Sequence, residues 1–409
     1  MAQREKKRIV GLDIGSTKVS TLIALAGDTG LEPIGLGVAE SKGLKRGVVV
    51  HLDATVESIK KSVAAAEAMA GCDVEQVYVG LSGPHIKSFN SSGATAVPPT
   101  VREIGAADIG RATEIARAVA LAPDRVIVHI LPQEFTVDDQ NGITDPLGMR
   151  GARLEVNTHI VTSSRTAAEN IVTAVNRSGL LVGDTVLDPI AAGEAVLGDD
   201  ERELGVVLVD IGGSTTSVAV YHRGAIRHSV VLPLGSEHFT NDIAVGLRTG
   251  LPEAERIKRE HGCAVSSMGS PDNVFEVAGV GSRQPRPIGE QVLADILQPR
   301  AEEIMFLVRN ELRSAGYERQ AGAGAVLTGG GALLRGLPEL AEHILDLPVR
   351  LGTNPAFIRE SRISELHGPE FATVAGLVLY GERRNKLRDF REQTETGFKK
   401  LVAKLRTFI

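Results

Sequence analysis

Asp13 and Asp210 each close an apolar run and lead into a turn of glycine and hydroxyl residues. The first phrase, VGLDIGSTKVSTLIAL, covers Val10–Leu25, and the second, LVDIGGSTTSVAV, covers Leu208–Val220. A carboxylate at the end of a buried strand is costly unless a cation or water compensates it. Hydrated Mg²⁺ suits that position, because it keeps its waters and is held through one or two carboxylates plus phosphates. The turns supply backbone N–H groups, hydroxyls and glycines that leave a phosphate's approach unobstructed. One hairpin of this kind can wrap terminal phosphates. Two, facing each other from separate lobes, would clamp them around one metal. A third glycine run, Gly329, Gly330 and Gly331, follows the apolar stretch from Ala325 and leads into a helical pattern over Leu333–Leu345. It allows close backbone approach at a helix start, where an anion or a flat ring can lie. A lone turn of this type is usually just a tight hairpin; the constellation of three points to a nucleotide.

The elements that must position these residues are short strands alternating with amphipathic helices such as Ala54–Ala70 and Thr166–Ser178, which predicts α/β layers. The doubled hairpin predicts two similar lobes. Gly83–His159 reads as an inserted small α+β module with a helix at Ala106–Ala120, and Ser236–Gln298 as helix, a Gly/Pro-interrupted stretch, then helix. Composition agrees with this picture: 409 residues, 43% hydrophobic and 23% charged, are enough for more than one core. A net charge of −6 gives no general basis for nucleic-acid binding. Cys72 and Cys263, with no C-x-x-C, argue against a disulfide framework or zinc site and fit a reducing cytosol. No apolar run reaches signal-peptide or membrane-spanning form, so the expectation is a cytosolic protein unless something else ties it to a membrane.

Asp13–Lys18, Asp210–Thr216 and Thr328–Gly331 resemble the phosphate-1, phosphate-2 and adenosine motifs of the actin and heat-shock-chaperone ATPase superfamily. Within it, the chain resembles the bacterial cell-division FtsA family over nearly its whole length. The stretches that carry this are ILPQEFTVDDQNGITDPLGMRGARLEVNTHIVT (Ile130–Thr162), LPLGSEHFTNDIAVGLRT (Leu232–Thr249) and VLTGGGALLRGLPELA (Val326–Ala341). The resemblance implies an actin-like two-lobed ATPase fold with an inserted SHS2-like α+β subdomain and a C-terminal amphipathic helix. It divides the chain into subdomain 1A (1–82, 161–188 and 367–380), inserted 1C (83–160), 2A (189–235 and 305–366), 2B (236–304), a linker (381–397) and a terminal helix (398–409).

By position, the resemblance implies that Asp13 and Asp210 hold Mg²⁺ through water. Gly15, Ser16, Thr17 and Lys18 would meet the β- and γ-phosphates of ATP, with Gly212, Gly213, Ser214 and Thr215 opposite. Glu255 and Lys258, three apart on one helical face, would reach a ribose or base edge. Two departures stand out. Relatives more usually read DIGGGTTDIAV at the second loop, so Ser214 replaces a glycine and Ser217 an aspartate. Asp188, in DPIAAGEAVL, occupies a place where relatives often carry Glu and where some superfamily members orient attacking water. The shorter side chain predicts tight ATP binding with slow or negligible hydrolysis; the resemblance implies a cytoskeletal protein rather than an enzyme.

The chain ends TGFKKLVAKLRTFI. On a helix Phe398, Leu401, Val402, Leu405, Phe408 and Ile409 share one face, while Lys399, Lys400, Lys404 and Arg406 occupy the rest, with no acid among them. That is the pattern of a helix lying in a membrane interface over anionic lipid. The charged segment GERRNKLRDFREQTETG, Gly381–Gly397, reads as its tether. One such tail is a marginal, reversible anchor, so self-association and attachment should reinforce each other. The resemblance further implies a protein on the cytoplasmic face of the inner membrane at the division septum. It would tether filaments of tubulin-like FtsZ through the FtsZ C-terminal peptide, with Arg286 and Arg300 as basic contacts. It would also self-associate and recruit later division proteins through subdomain 1C. The alternatives are a PilM-type pilus-assembly adaptor, a sugar-kinase-like enzyme of the same fold, and an actin-like filament former acting without FtsZ.

Overall fold

The computed structural model describes residues 7–27, 30–98, 103–279, 284–353 and 363–386. The chain opens with β1 (Lys7–Ile14), β2 (Lys18–Gly27) and β3 (Gly30–Glu40), a small hairpin of β4 (Leu44–Lys45) and β5 (Val48–Val49), then α1 (Leu52–Ala70) and β6 (Gln76–Leu81). Helix α1 stops where Gly71 takes a left-handed φ of 66° and its N–H caps the Glu67 carbonyl. The insertion follows as β7 (Lys87–Ala96), α2 (Ala106–Arg117), β8 (Arg125–Val137), β9 (Gln140–Ile143) and β10 (Arg153–Ser164). The chain returns through α3 (Arg165–Arg177) and β11 (Leu181–Leu187), then crosses by α4 (Asp188–Val196) and α5 (Asp199–Leu204).

The second lobe repeats the plan. It contains β12 (Val206–Ile211), β13 (Thr216–His222), β14 (Ala225–Leu232), α6 (Ser236–Leu247), α7 (Leu251–His261), β15 (Val274–Val277), β16 (Arg286–Gly289), α8 (Glu290–Ser314), β17 (Ala325–Thr328), α9 (Leu337–Leu345) and β18 (Val349–Leu351). A last helix, α10, occupies residues 372–386.

The two large sheets have one topology. Lobe I orders its strands β11-β6-β1-β2-β3 and lobe II orders them β14-β13-β12-β17-β18. In each, a central strand pairs antiparallel with its hairpin partner on one side and parallel with a later strand on the other. These inner strands are buried on both faces, which is why they read as near-continuous apolar runs. One buried cluster fills lobe I and continues through α4 onto one face of the lobe II sheet (Leu208, Ala219, Val326), a second fills the rest of lobe II, and a third lies in the insertion.

The inserted four-strand sheet, β7-β10-β8-β9, is moored to lobe II as well as joined to lobe I. Ser88 Oγ donates to the Ser229 carbonyl at 2.6 Å, and Gln133 Nε2 to that of Ile226 at 2.9 Å. Side chains thus satisfy the open edge of β14.

Three local expectations are revised. The helix expected from Leu333 starts at Leu337, because Gly336 adopts a φ of 76° and Pro338 sits in the first turn; the preceding residues, Gly330–Leu333, form a 3-10 turn. Helix α8 runs unbroken past Gln298 and through Pro299, since Leu293, Leu297, Ala301, Ile304 and Val308 keep one continuous buried face. The segment expected to be a tether from Gly381 begins as helix: α10 extends to residue 386. Its charges find partners on the crossing helix and on lobe I, Arg383 with Glu194 of α4 at 2.8 Å and Arg384 with Asp184 of β11.

Candidate functional site

The two hairpins are superimposable in their bonding. Gly15 N–H donates to the Lys18 carbonyl at 3.0 Å, and Gly212 N–H to the Thr215 carbonyl at 2.9 Å. Asp13 pairs across its hairpin with Ser20 and Asp210 with Ser217, the same offset in both. Each Asp therefore sits at the mouth of its sheet with the turn curling over it. The turns face each other: the Ser16 and Ser214 hydroxyls lie 2.5 Å apart. A Cβ on Gly213 would fall 2.5 Å from the Thr17 methyl, so only glycine lets the loops approach this closely.

Between them lies a cleft of about 860 Å³ lined by Asp13, Asp188, Asp210, both turns and the Gly329–Gly331 run. Three carboxylates converge there. Burial lifts Asp13 to about 6, with Lys18 pulling the other way. Burial, then the Asp13 charge, lifts Asp210 to about 7. Asp188 is raised by burial and by both neighbours, and its Oδ1 is buried without a hydrogen-bond partner. Helix α4 places it, since β11 runs straight into the helix and Asp188 is the first helical residue.

Such a set crowds poorly solvated negative charge that a cation would relieve, and its hard oxygens suit a hydrated Mg²⁺. Among the described residues no three His, Cys, Asp or Glu side chains are grouped closely enough to ligate a metal directly.

On the lobe II side Glu255 and Lys258 form an ion pair at 2.7 Å. Thr240 bridges them, donating to Glu255 Oε2 at 2.6 Å and accepting from Lys258 Nζ at 2.9 Å. Both line the cleft. Gly329, with a φ of 79°, lets β17 pass beside Asp210.

Other lining groups carry no motif. At Gly80 a Cβ would lie 2.7 Å from Asp188 Oδ1. Ser82 hydrogen-bonds to Ser217 at 3.2 Å. Phe371 lies beneath the Lys18 ammonium and Thr373 donates to Asp210 at 3.4 Å. A glycine one residue before the end of an apolar strand is the one available signal, at Gly80; Phe371 and Thr373 look in sequence like the start of a helix.

The two departures in the second loop are both engaged. Ser214 meets Ser16 and Ser217 meets Ser82, so each serine bridges the lobes. Arg286 and Arg300 already have partners. Arg286 donates to the Leu247 carbonyl, and Arg300 forms a two-pronged pair with Asp242 at 2.8 and 3.1 Å and also meets Glu303. Phe398, Lys399, Lys400, Leu401, Val402, Lys404, Leu405, Arg406, Phe408 and Ile409 lie outside the described residues. Among the described residues no helix is long and apolar enough to cross a membrane.

Two like-folded lobes closing on a cleft between glycine-hydroxyl turns define an actin-like two-lobed ATPase fold. Its solved relatives in shape include the PilM–PilN type IV pilus biogenesis complex, 19% identical with a TM-score of 0.67, covering 92% of this chain and 99% of that one. MreB5 of Spiroplasma citri bound to ADP is 16% identical with a TM-score of 0.56, covering 94% and 98%. Residues 207–376 match the family model described as cell division protein FtsA, and residues 83–162 match the SHS2 domain inserted in FtsA. The chain is 44% identical to the cell division protein FtsA of Pseudomonas aeruginosa over 376 residues, covering 92% of this chain and 89% of that protein. It is 38% identical to the Bacillus subtilis protein of the same name over 379 residues, 93% and 84%, and 37% identical to that of Escherichia coli K12 over 387 residues, 92% and 91%. This chain belongs to the FtsA family of cell division proteins.

Proposed function

We propose that this protein binds ATP with Mg²⁺ between its lobes and, as a membrane-attached self-associating adaptor, anchors FtsZ filaments at the division septum. The observation that carries the nucleotide reading is the convergence of Asp13, Asp188 and Asp210 between two turns whose serines touch. Asp13 and Asp210 would hold Mg²⁺ through water. The ion would screen the phosphate charge. The Gly15–Lys18 and Gly212–Thr215 turns would bind the β- and γ-phosphates, and Glu255 and Lys258 the ribose or base edge. Gly329, Gly330 and Gly331 would let the adenosine lie against the backbone. Asp188, with its free oxygen, is the group placed to orient water, and its short side chain supports slow hydrolysis.

Membrane attachment falls to the amphipathic segment 398–409, whose apolar face and basic remainder suit anionic lipid. Several tails on one oligomer gain avidity of about 10²–10⁴ without new contacts. The FtsZ C-terminal peptide would dock on subdomain 2B. A groove between α6 and α8, lined by Asp242, Val245, Gly246, Ile296, Pro299, Arg300 and Glu303, with Val245 79% exposed, offers an apolar patch for such a peptide beside an arginine that Asp242 and Glu303 now hold. Such a peptide would compete with Asp242 for Arg300, while Arg286 stands on the neighbouring β16. The insertion, reaching beyond lobe I, would meet a neighbouring protomer and later division proteins.

The test is recruitment of FtsZ filaments to anionic liposomes by the full chain and by a chain ending at residue 397. The reading expects recruitment by the first and none by the second, with Mg·ATP binding equal in both. Equal recruitment by the two would refute the anchoring role of the tail.

A further inference from the structure

One contact on the cleft floor lies outside the phosphate-loop motifs. Lys18 closes the first turn, and its ammonium sits 3.6 Å from the centroid of the Phe371 ring. That ring is only 8% exposed and faces the cleft. Phe371 ends a 3-10 turn, Pro369–Phe371, that is fastened to the opposite lobe. The Gly329 N–H and the Thr328 hydroxyl both donate to the Pro369 carbonyl at 3.1 Å. Two residues further on, Thr373 donates to Asp210 at 3.4 Å. Lobe II therefore helps to hold the ring, while the lysine above it belongs to lobe I.

A lysine is a flexible point charge that loses rotamer entropy when it is fixed. An aromatic face under the ammonium restrains it without neutralising it, whereas a carboxylate partner would take up the charge. The ammonium also feels the Asp13, Glu370 and Asp210 carboxylates, but no side-chain ion pair holds it among the described residues, so the ring is what fixes its place before a phosphate arrives.

We infer that Phe371 is a positioning residue for Lys18 and thereby sets how strongly the cleft prefers a triphosphate to the bare nucleoside. This role presupposes the nucleotide reading above. A lysine released from the ring loses contact with the phosphate chain and none with adenosine.

The experiment is calorimetric titration of the full chain with Mg·ATP and, separately, with adenosine. The proteins are the wild type, Phe371→Leu, Phe371→Tyr, Lys18→Met and the double variant Phe371→Leu/Lys18→Met. Phe371→Leu should weaken ATP binding about fivefold to tenfold while shifting adenosine less than about twofold, and Phe371→Tyr should restore ATP binding. In the Lys18→Met background the Leu substitution should change ATP affinity less than about twofold, because the pair acts as one unit. If Phe371→Leu weakens both ligands alike, or its effect survives in the Lys18→Met background, the ring only packs and the inference is overturned. Should the Leu variant not fold, Phe371→Met carries the same expectations. A wild type that fails to bind ATP overturns the nucleotide reading itself, a result distinct from a wild type and a Leu variant that bind equally well.

Discussion

Ser82 and Ser217 join the lobes: their hydroxyls meet at 3.2 Å, one just after β6 and the other in β13. An aspartate at position 217 would add a fourth carboxylate to the cleft that Asp13, Asp188 and Asp210 line. A serine pair links the lobes without adding to that repulsion. Ser82→Ala and Ser217→Ala should each lower stability by about 0.5–1.5 kcal/mol, and the double variant by less than their sum. Urea unfolding of the three variants measures this. Ser217→Asp should make stability depend more steeply on added Mg²⁺ than in the wild type.

Where α10 crosses α4, a Cβ on Gly376 would overlap the Ala191 carbonyl. Backbone cannot move aside as a flexible side chain can. Gly376→Ala should therefore cost about 1–3 kcal/mol or more, seen as a lower melting temperature.

Asp210→Asn should abolish Mg²⁺-dependent tightening of ATP binding, since the amide carries no charge to compensate the cation. Asp188→Ala should leave ATP affinity close to wild type and lower whatever turnover exists by about 10²-fold or more. Binding by calorimetry and phosphate release separate the two roles. Fast turnover that is indifferent to Asp188→Ala would contradict the assignment.

His159 is buried where the insertion meets lobe II. Its Nδ1 donates to Asn90 Oδ1 at 2.7 Å, which leaves Nε2 to accept from the Ser229 hydroxyl at 2.9 Å. Burial, with His228 and His129 nearby, pulls its pKa from 6.5 down to about 3. The unfolded chain takes up a proton below about pH 6.5 that the folded chain refuses until about pH 3. This group's contribution is thus fully present above 6.5 and is lost progressively on acidification towards 3. His159→Gln, which keeps polar contacts and cannot titrate, should show a smaller loss of stability between pH 7.5 and 5 than the wild type in matched urea titrations.

Chain order alone determined the lobed α/β plan, both glycine-hydroxyl turns and the glycine run, because turn chemistry and strand patterning act over a few residues. The same local rules made Asp13 and Asp210 legible as a pair. They also lead to the expectation of a basic amphipathic end, which lies outside the described residues. They could not show that Ser16 meets Ser214, 198 residues away, or that Arg383 and Arg384 in the expected tether would find Glu194 and Asp184. Nor could they place Phe371 under Lys18, or Gly80 beside Asp188. Those relationships depend on how the two lobes and the last helix pack, and packing joins residues whose only common property is the space they share.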